Sequence, residues 1–220
     1  MVGVRRSLPA LPVGGGRRIA PHSRPSLPGK KGPFAGLHTG EAGLGLLALR
    51  LYQLTGKRRF LEIAERRAEW VIEQEPLQTD LLYGLAGTLL FVLELQRQTG
   101  SKQWLDRAGT LGVTLVKMAR REGDEFYWDT GPGGGGEILT GLGRGTAGCG
   151  LALAALAGRL QVQALRTAVR KAANWLIARA EETERGVRWP RRVDDDGDDR
   201  PMSWCQGPPG IGLFFLFRFR

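Results

Sequence analysis

From Gly36 onward the hydrophobic positions fall into two alternating kinds of segment. The first kind is short and almost wholly apolar. LGLLALRLYQLTG places Leu44, Leu47, Leu51 and Leu54 at spacings of three and four, the mark of one helical face, and Gly56 supplies the helix end. The second kind is amphipathic. RRFLEIAERRAEWVIEQ sets Phe60, Ile63, Ala64, Trp70 and Val71 in an apolar stripe opposite charge. Together the two segments predict a helical hairpin.

The plan recurs along the chain. TLLFVLELQRQTG is followed by SKQWLDRAGTLGVTLVKMARR, with Ser101 as its expected N-cap. CGLALAALAGRL is followed by QALRTAVRKAANWLIARAEE, and a fourth apolar segment, IGLFFLFRFR, closes the sequence. Each apolar segment is introduced by a Gly-x-x-Gly tetrad, beginning at Gly40, Gly84, Gly145 and Gly207, at offsets of 44, 61 and 62 residues. Such periods indicate repeated helix pairs. The fold class is therefore all-α. Apolar helices suit an inner ring and charged ones an outer ring, an α/α toroid, with a linear solenoid as the alternative. The paired glycines are expected to allow positive φ and close backbone approach, and to leave free N–H groups pointing to a shared mouth.

Two connections interrupt the helical pattern. Residues 121–144 form a Gly-rich loop containing Phe126, Tyr127 and Trp128. Residues 185–204 carry Val187, Trp189 and Val193 before an Asp-Gly signal and Met202 and Trp204 after it, which suits a short hairpin delivering Cys205. Residues 1–33, dense in Pro, Gly and Arg, show no period and predict a flexible segment, leaving 34–220 as the folded domain.

A net charge of +10 raises the prospect of anionic partners, but the basic residues are dispersed and no nucleic-acid-binding motif accompanies them. The charge is read as helix surface plus a basic tail, with no nucleic-acid partner. Cys149 and Cys205 without a secretory signal predict a reducing, cytoplasmic setting, and no apolar run approaches the ~20 residues of a membrane span.

Chemistry concentrates in Ser203-Trp204-Cys205-Gln206-Gly207-Pro208-Pro209-Gly210, a turn stiffened by Gly and Pro. A thiolate there is a candidate soft-metal ligand or reactive group, set against a buried small residue in a tight turn. This stretch, together with Asp80-Leu81-Leu82-Tyr83-Gly84-Leu85-Ala86-Gly87 and Gly145-Thr146-Ala147-Gly148, resembles the lanthionine synthetase C-like family over about residues 36–220. The resemblance implies an α/α toroid with zinc at its mouth, adding a peptide cysteine thiol to dehydroalanine or dehydrobutyrine to close a thioether ring. It implies that Cys205 matches a zinc ligand and that Asp80 matches an acidic residue near the metal. Arg144 stands where the family has a histidine, and there it would stabilise an enolate electrostatically without acting as an acid. The implied partner is a dehydrated precursor peptide or a thiol, and the alternative function is a non-catalytic peptide- or thiol-binding toroid module.

The family's Cys-His ligand pair has no counterpart in these 220 residues, so the zinc site is incomplete and the chain is expected to be truncated at its C-terminus, with an apolar face left open there. Cys149 falls within an inner helix and reads as a packed thiol. His38 precedes the first tetrad and reads as an exposed or turn histidine, His22 lies in the N-terminal segment, and Arg200 sits one position from a family arginine. Gly143-x-Gly145-x-x-Gly148 lacks the strand and acidic residue of a dinucleotide site, and the acidic run at 194–199 lacks the alternating ligands of a calcium loop. A glycosidase on this fold would need paired mouth carboxylates, and Asp80 stands nearly alone.

Overall fold

The computed structural model describes residues 34–131, 136–193 and 199–218. The N-terminal segment expected to be flexible, part of the Gly-rich loop and most of the acidic run lie outside the described residues. Seven helices are described: α1 (Glu41–Thr55), α2 (Arg58–Glu73), α3 (Leu85–Thr99), α4 (Lys102–Lys117), α5 (Thr146–Ala157), α6 (Gln163–Ala178) and α7 (Pro208–Arg218). Two antiparallel hairpins join them, β1 (Arg120–Glu122) with β2 (Glu125–Tyr127), and β3 (Glu181–Thr183) with β4 (Gly186–Arg188).

The odd helices pack in succession, α1 on α3, α3 on α5 and α5 on α7, while α2, α4 and α6 each cover the helix that precedes them. Composition explains the layers. α5 is Ala-, Gly- and Leu-rich and buried on nearly every side, whereas α2 buries only Ala64, Ala68 and Val71. Three inter-helix steps of 8–10 Å each would hold the ends of a straight row roughly 25–30 Å apart. Yet the His38 ring, just before α1, lies 6.4 Å from the Trp204 ring, just before α7. The row therefore curves with its N-terminal turns inward, which excludes the linear solenoid.

The tetrad glycines work by approach and not by positive φ. Gly40, Gly84 and Gly145 have extended φ of −139°, −117° and −116°. A Cβ on Gly84 would stand 2.5 Å from the Gln78 carbonyl oxygen, and one on Gly87 2.1 Å from that of Leu81. The same contact six residues back recurs in all four copies. It lets the loop fold over its own helix start. The carbonyls of Phe34, Gln78 and Leu139 accept from the first helical N–H, of Glu41, Leu85 and Thr146, and those of Ala35, Thr79 and Thr140 accept from the second. The expected free N–H groups are thus largely occupied. In the fourth copy both donor positions are proline, Pro208 and Pro209, so there is no N–H to satisfy.

The connections also differ from expectation. Each outer helix α4 and α6 leads into a hairpin followed by a buried tryptophan. Trp128 Nε1 donates to the Leu115 carbonyl at 2.8 Å, and Trp189 Nε1 donates to that of Leu176 at 2.7 Å. The second hairpin turns at Glu184 and Arg185, where Thr183 Oγ1 donates to the Gly186 carbonyl and accepts from the Arg185 N–H, while the Asp-Gly signal expected to turn a hairpin before Cys205 lies outside the described residues. Ser101 occupies its N-cap position without a side-chain bond to the helix.

Candidate functional site

The four pre-helix turns are stitched into one row. Counting back two residues from each leading glycine gives His38, Leu82, Gly143 and Cys205. The His38 N–H donates to the Leu82 carbonyl at 2.9 Å, the Leu82 N–H to Gly143 at 3.1 Å, and the Gly143 N–H to Cys205 at 2.7 Å. A second bond from the Leu81 N–H to Gly143 reinforces the middle step. Equivalent positions of four distant segments become neighbours through backbone pairing alone, independent of their side chains.

Cys205 ends this row, half-buried, with Ser203 Oγ 3.5 Å from its Sγ. Gly143 keeps its flank clear, since a Cβ there would come within 3.1 Å of Cys205 Cβ. His38 is exposed and meets Trp204, the neighbour of Cys205.

Asp80 is fully buried at the start of the α3 turn. Its Oδ1 accepts the Tyr83 N–H at 2.7 Å, while Oδ2 has no hydrogen-bond partner. Arg144, on the neighbouring turn, brings Nε to 4.0 Å from Oδ2, an ion pair without a hydrogen bond, and that Nε is likewise buried and unbonded. Burial pushes the Asp80 carboxyl above the usual carboxylate range, against the opposing pull of the Tyr83 N–H and the Arg144 charge. Arg144 also approaches Glu137 Oε2 at 3.8 Å and the Tyr83 ring at 6.0 Å, and Glu137 Oε1 is 3.3 Å from Arg192. Glu137 and Tyr83 were not singled out by sequence. Tyr83 sits inside the quoted Asp80–Gly87 stretch, while nothing in the Gly-rich loop marks Glu137.

The other candidates lie elsewhere. Cys149 is buried in α5 with Sγ donating to the Thr79 carbonyl at 3.4 Å, and burial plus the Asp80 charge push its thiol far up. Arg200 binds Glu181 of β3, with Nη2 2.7 Å from Oε1. Among the described residues no three His, Cys, Asp or Glu side chains come together to hold a metal ion. A catalytic zinc needs three protein ligands and an open position, and Cys205 offers one. The residues present do not fit the metal that the resemblance implies.

The fold and site define a curved double layer of helix pairs whose glycine-led turns converge on a thiol, an arc of an α/α toroid. A family model described as lanthionine synthetase C-like protein matches residues 25–217, and the chain belongs to that family. Among solved structures, a nisin cyclase superposes with a TM-score of 0.66 at 18% identity, over 84% of this chain and 53% of that one. A D-mannose isomerase superposes with a TM-score of 0.58 at 12% identity, over 87% and 56%. This chain thus spans about half the length of either neighbour. The comparison with curated proteins gave no match. Among the described residues no helix is long and apolar enough to cross a membrane.

Proposed function

We propose that the mouth binds a peptide of the lanthipeptide kind, a dehydrated precursor or a thiol-bearing segment, and that the chain is related through it to thioether ring closure. In that reaction a cysteine sulfur bonds to the β-carbon of dehydroalanine or dehydrobutyrine, and a proton ends on the α-carbon. The observation that supports this reading is the row ending at Cys205, with Asp80 and Arg144 on the two adjoining turns. Arg144 would hold a peptide carbonyl or a developing enolate by charge, and it cannot deliver the proton near neutral pH. With one soft ligand at the mouth, no step is assigned to zinc, and the binding role is favoured over complete catalysis by these residues alone.

The test is titration of the 220-residue chain with a synthetic peptide carrying one dehydroalanine and one cysteine, followed through tryptophan fluorescence, beside zinc analysis of the purified protein. Saturable binding with zinc well below one per chain is expected. Near-stoichiometric zinc that is lost in Cys205→Ala would replace this reading with the cyclase itself, and absence of both binding and zinc would refute both.

A further inference from the structure

Arg144 is surrounded by charge and hydrogen-bonded to none of it. Buried Asp80 brings Oδ2 to 4.0 Å from its Nε, and Glu137 brings Oε2 to 3.8 Å from its Nη1, both beyond hydrogen-bond reach. Comparably half-buried arginines close on their carboxylates: Arg179 Nη1 stands 2.9 Å from Glu125 Oε2, and Arg200 Nη2 2.7 Å from Glu181 Oε1. Among the described residues Arg144 makes no hydrogen bond, and its buried Nε and the buried Asp80 Oδ2 both lack a partner. Glu137 Oε1 is taken up by Arg192 at 3.3 Å, so Oε2 is the oxygen left to accept.

Main chain, not mutual bonding, holds the two side chains in place. The Glu137 carbonyl accepts the Thr130 N–H at 3.0 Å, its N–H donates to Thr130 Oγ1 at 3.1 Å, and the following residues, Ile138 and Leu139, bridge to Asp129 and Arg192. Arg144 follows Gly143, whose N–H is bonded to the Cys205 carbonyl. Its guanidinium lies over the Tyr83 ring, 6.0 Å from the centroid. A donor and an acceptor, both half-buried, thus stand side by side on the turn next to Cys205 and are kept apart.

The group that completes such a pair carries an acceptor and an N–H donor on a single edge. A carboxylate does not, because once seated on Arg144 it would set its own negative oxygen against Glu137 Oε2. A cationic group would meet Arg144 in the same way. A neutral amide edge satisfies both sides. An Asn or Gln side chain has one, and so does one residue of extended main chain, whose N–H and carbonyl point to the same side as they do in an antiparallel pair.

We propose that Arg144 and Glu137 read one amide edge of the bound peptide, the guanidinium donating to its carbonyl oxygen and Glu137 Oε2 accepting its N–H. This rests on peptide binding at the mouth as proposed above, and it names what the mouth selects: an amide, from the main chain or from an Asn or Gln side chain, and not a charged group. Asp80, beneath, orients the guanidinium fork by charge without occupying its outer N–H groups.

The probe is a synthetic peptide with one dehydroalanine, one cysteine and one glutamine, titrated into the 220-residue chain and followed through tryptophan fluorescence. One series replaces each main-chain N–H in turn by an ester oxygen, and a second exchanges the glutamine for glutamate. One of these replacements should weaken binding to the wild-type chain about tenfold; an ester places the edge on the main chain, and glutamate places it on the side chain. In Glu137→Ala the unmodified peptide should bind about tenfold more weakly, and the sensitive replacement should cost nothing further, the mark of a coupled pair. Arg144→Lys keeps the charge and loses the fork, so it should also bind weakly, with its thermal midpoint unchanged. Tolerance of every replacement by the wild-type chain, or the same loss persisting in Glu137→Ala, would overturn the pair while peptide binding stands. No binding of the unmodified peptide would refute the peptide reading itself, and the pair with it.

Discussion

Replacing Asp80 by asparagine tests whether the mouth retains a charge at the expense of stability. Two effects oppose each other at this carboxylate. Unit charges 4 Å apart attract by about 4 kcal/mol at an effective dielectric constant near 20, and Arg144 Nε stands 4.0 Å from Oδ2. Withdrawing a carboxylate from water costs several kcal/mol, and an acceptor left without a partner adds about 1–3 kcal/mol. Burial outweighs the other influences, as the upward shift of the carboxyl shows. A folded-state pKa above the unfolded value means that the folded chain holds the proton more tightly. The penalty is therefore absent below the unfolded value of about 3.9, grows as pH rises from there through the folded value, and is constant beyond it. Asparagine keeps the Oδ1 acceptor for the Tyr83 N–H and removes the charge. At pH 7 the Asp80→Asn chain should be more stable by about 1 kcal/mol, a midpoint gain of roughly 2–4 °C at this size, and the gain should vanish toward pH 3. Urea unfolding followed by tryptophan fluorescence at both pH values measures it. A less stable variant at pH 7, or a difference independent of pH, would refute the assignment. The same variant should bind the dehydrated peptide more weakly, the usual exchange of stability for function at a site.

Two further outcomes are expected. Gly87→Ala drives a methyl into the Leu81 carbonyl oxygen, 2.1 Å away, and should cost about 1–3 kcal/mol in urea unfolding, because backbone cannot yield as a side-chain end does; a cost below half that range would show that the loop is free to lift. In the native chain a disulfide-exchange reagent should titrate one thiol quickly, half-buried Cys205, and reach Cys149 only on unfolding, since burial keeps that thiol protonated; two fast thiols would contradict the placement of α5.

The helix pairs were legible because apolar spacing and the glycine tetrads report local geometry. Cys205 was legible from its Gly- and Pro-stiffened turn, whereas Asp80 and Arg144 were legible only through the resemblance to the family. The short hairpins were not, although the signal was present: Trp128 and Trp189 lie 61 residues apart, the same offset as Leu115 and Leu176 whose carbonyls they bind. Three-residue strands are too brief to show a period of two, and a Gly-rich stretch hides them further. Positive φ was wrongly expected at the tetrads because glycine serves close approach equally well, and only coordinates tell the two uses apart. The orphaned contact of Asp80 with Arg144 depends on distance between turns whose leading glycines are 61 residues apart, which no local pattern encodes.

The row at the mouth also bears on how one arc serves different chemistries. Likeness in fold extends to two proteins whose names specify unrelated reactions, a cyclase and a sugar isomerase, so the arc itself does not choose a reaction. What can choose is the set of side chains at positions held by backbone bonds. His38, Leu82, Gly143 and Cys205 are joined by main-chain N–H and carbonyl groups, so the pairing does not itself use the side chains of His38, Leu82 and Cys205, whereas a side chain at Gly143 would crowd Cys205 and Leu82. A chemical group placed in such a slot arrives pre-positioned without a stability cost of its own, and a glycine in a slot, as at Gly143, leaves room for its neighbour. In this chain the slots carry an imidazole at one end and a thiol at the other, with a leucine and a glycine between them. The glycine slot is close-packed: a Cβ at Gly143 would meet Cys205 Cβ and Leu82 Cδ1 at 3.1 Å each, so the space a side chain would take there is already held by its two neighbours in the row.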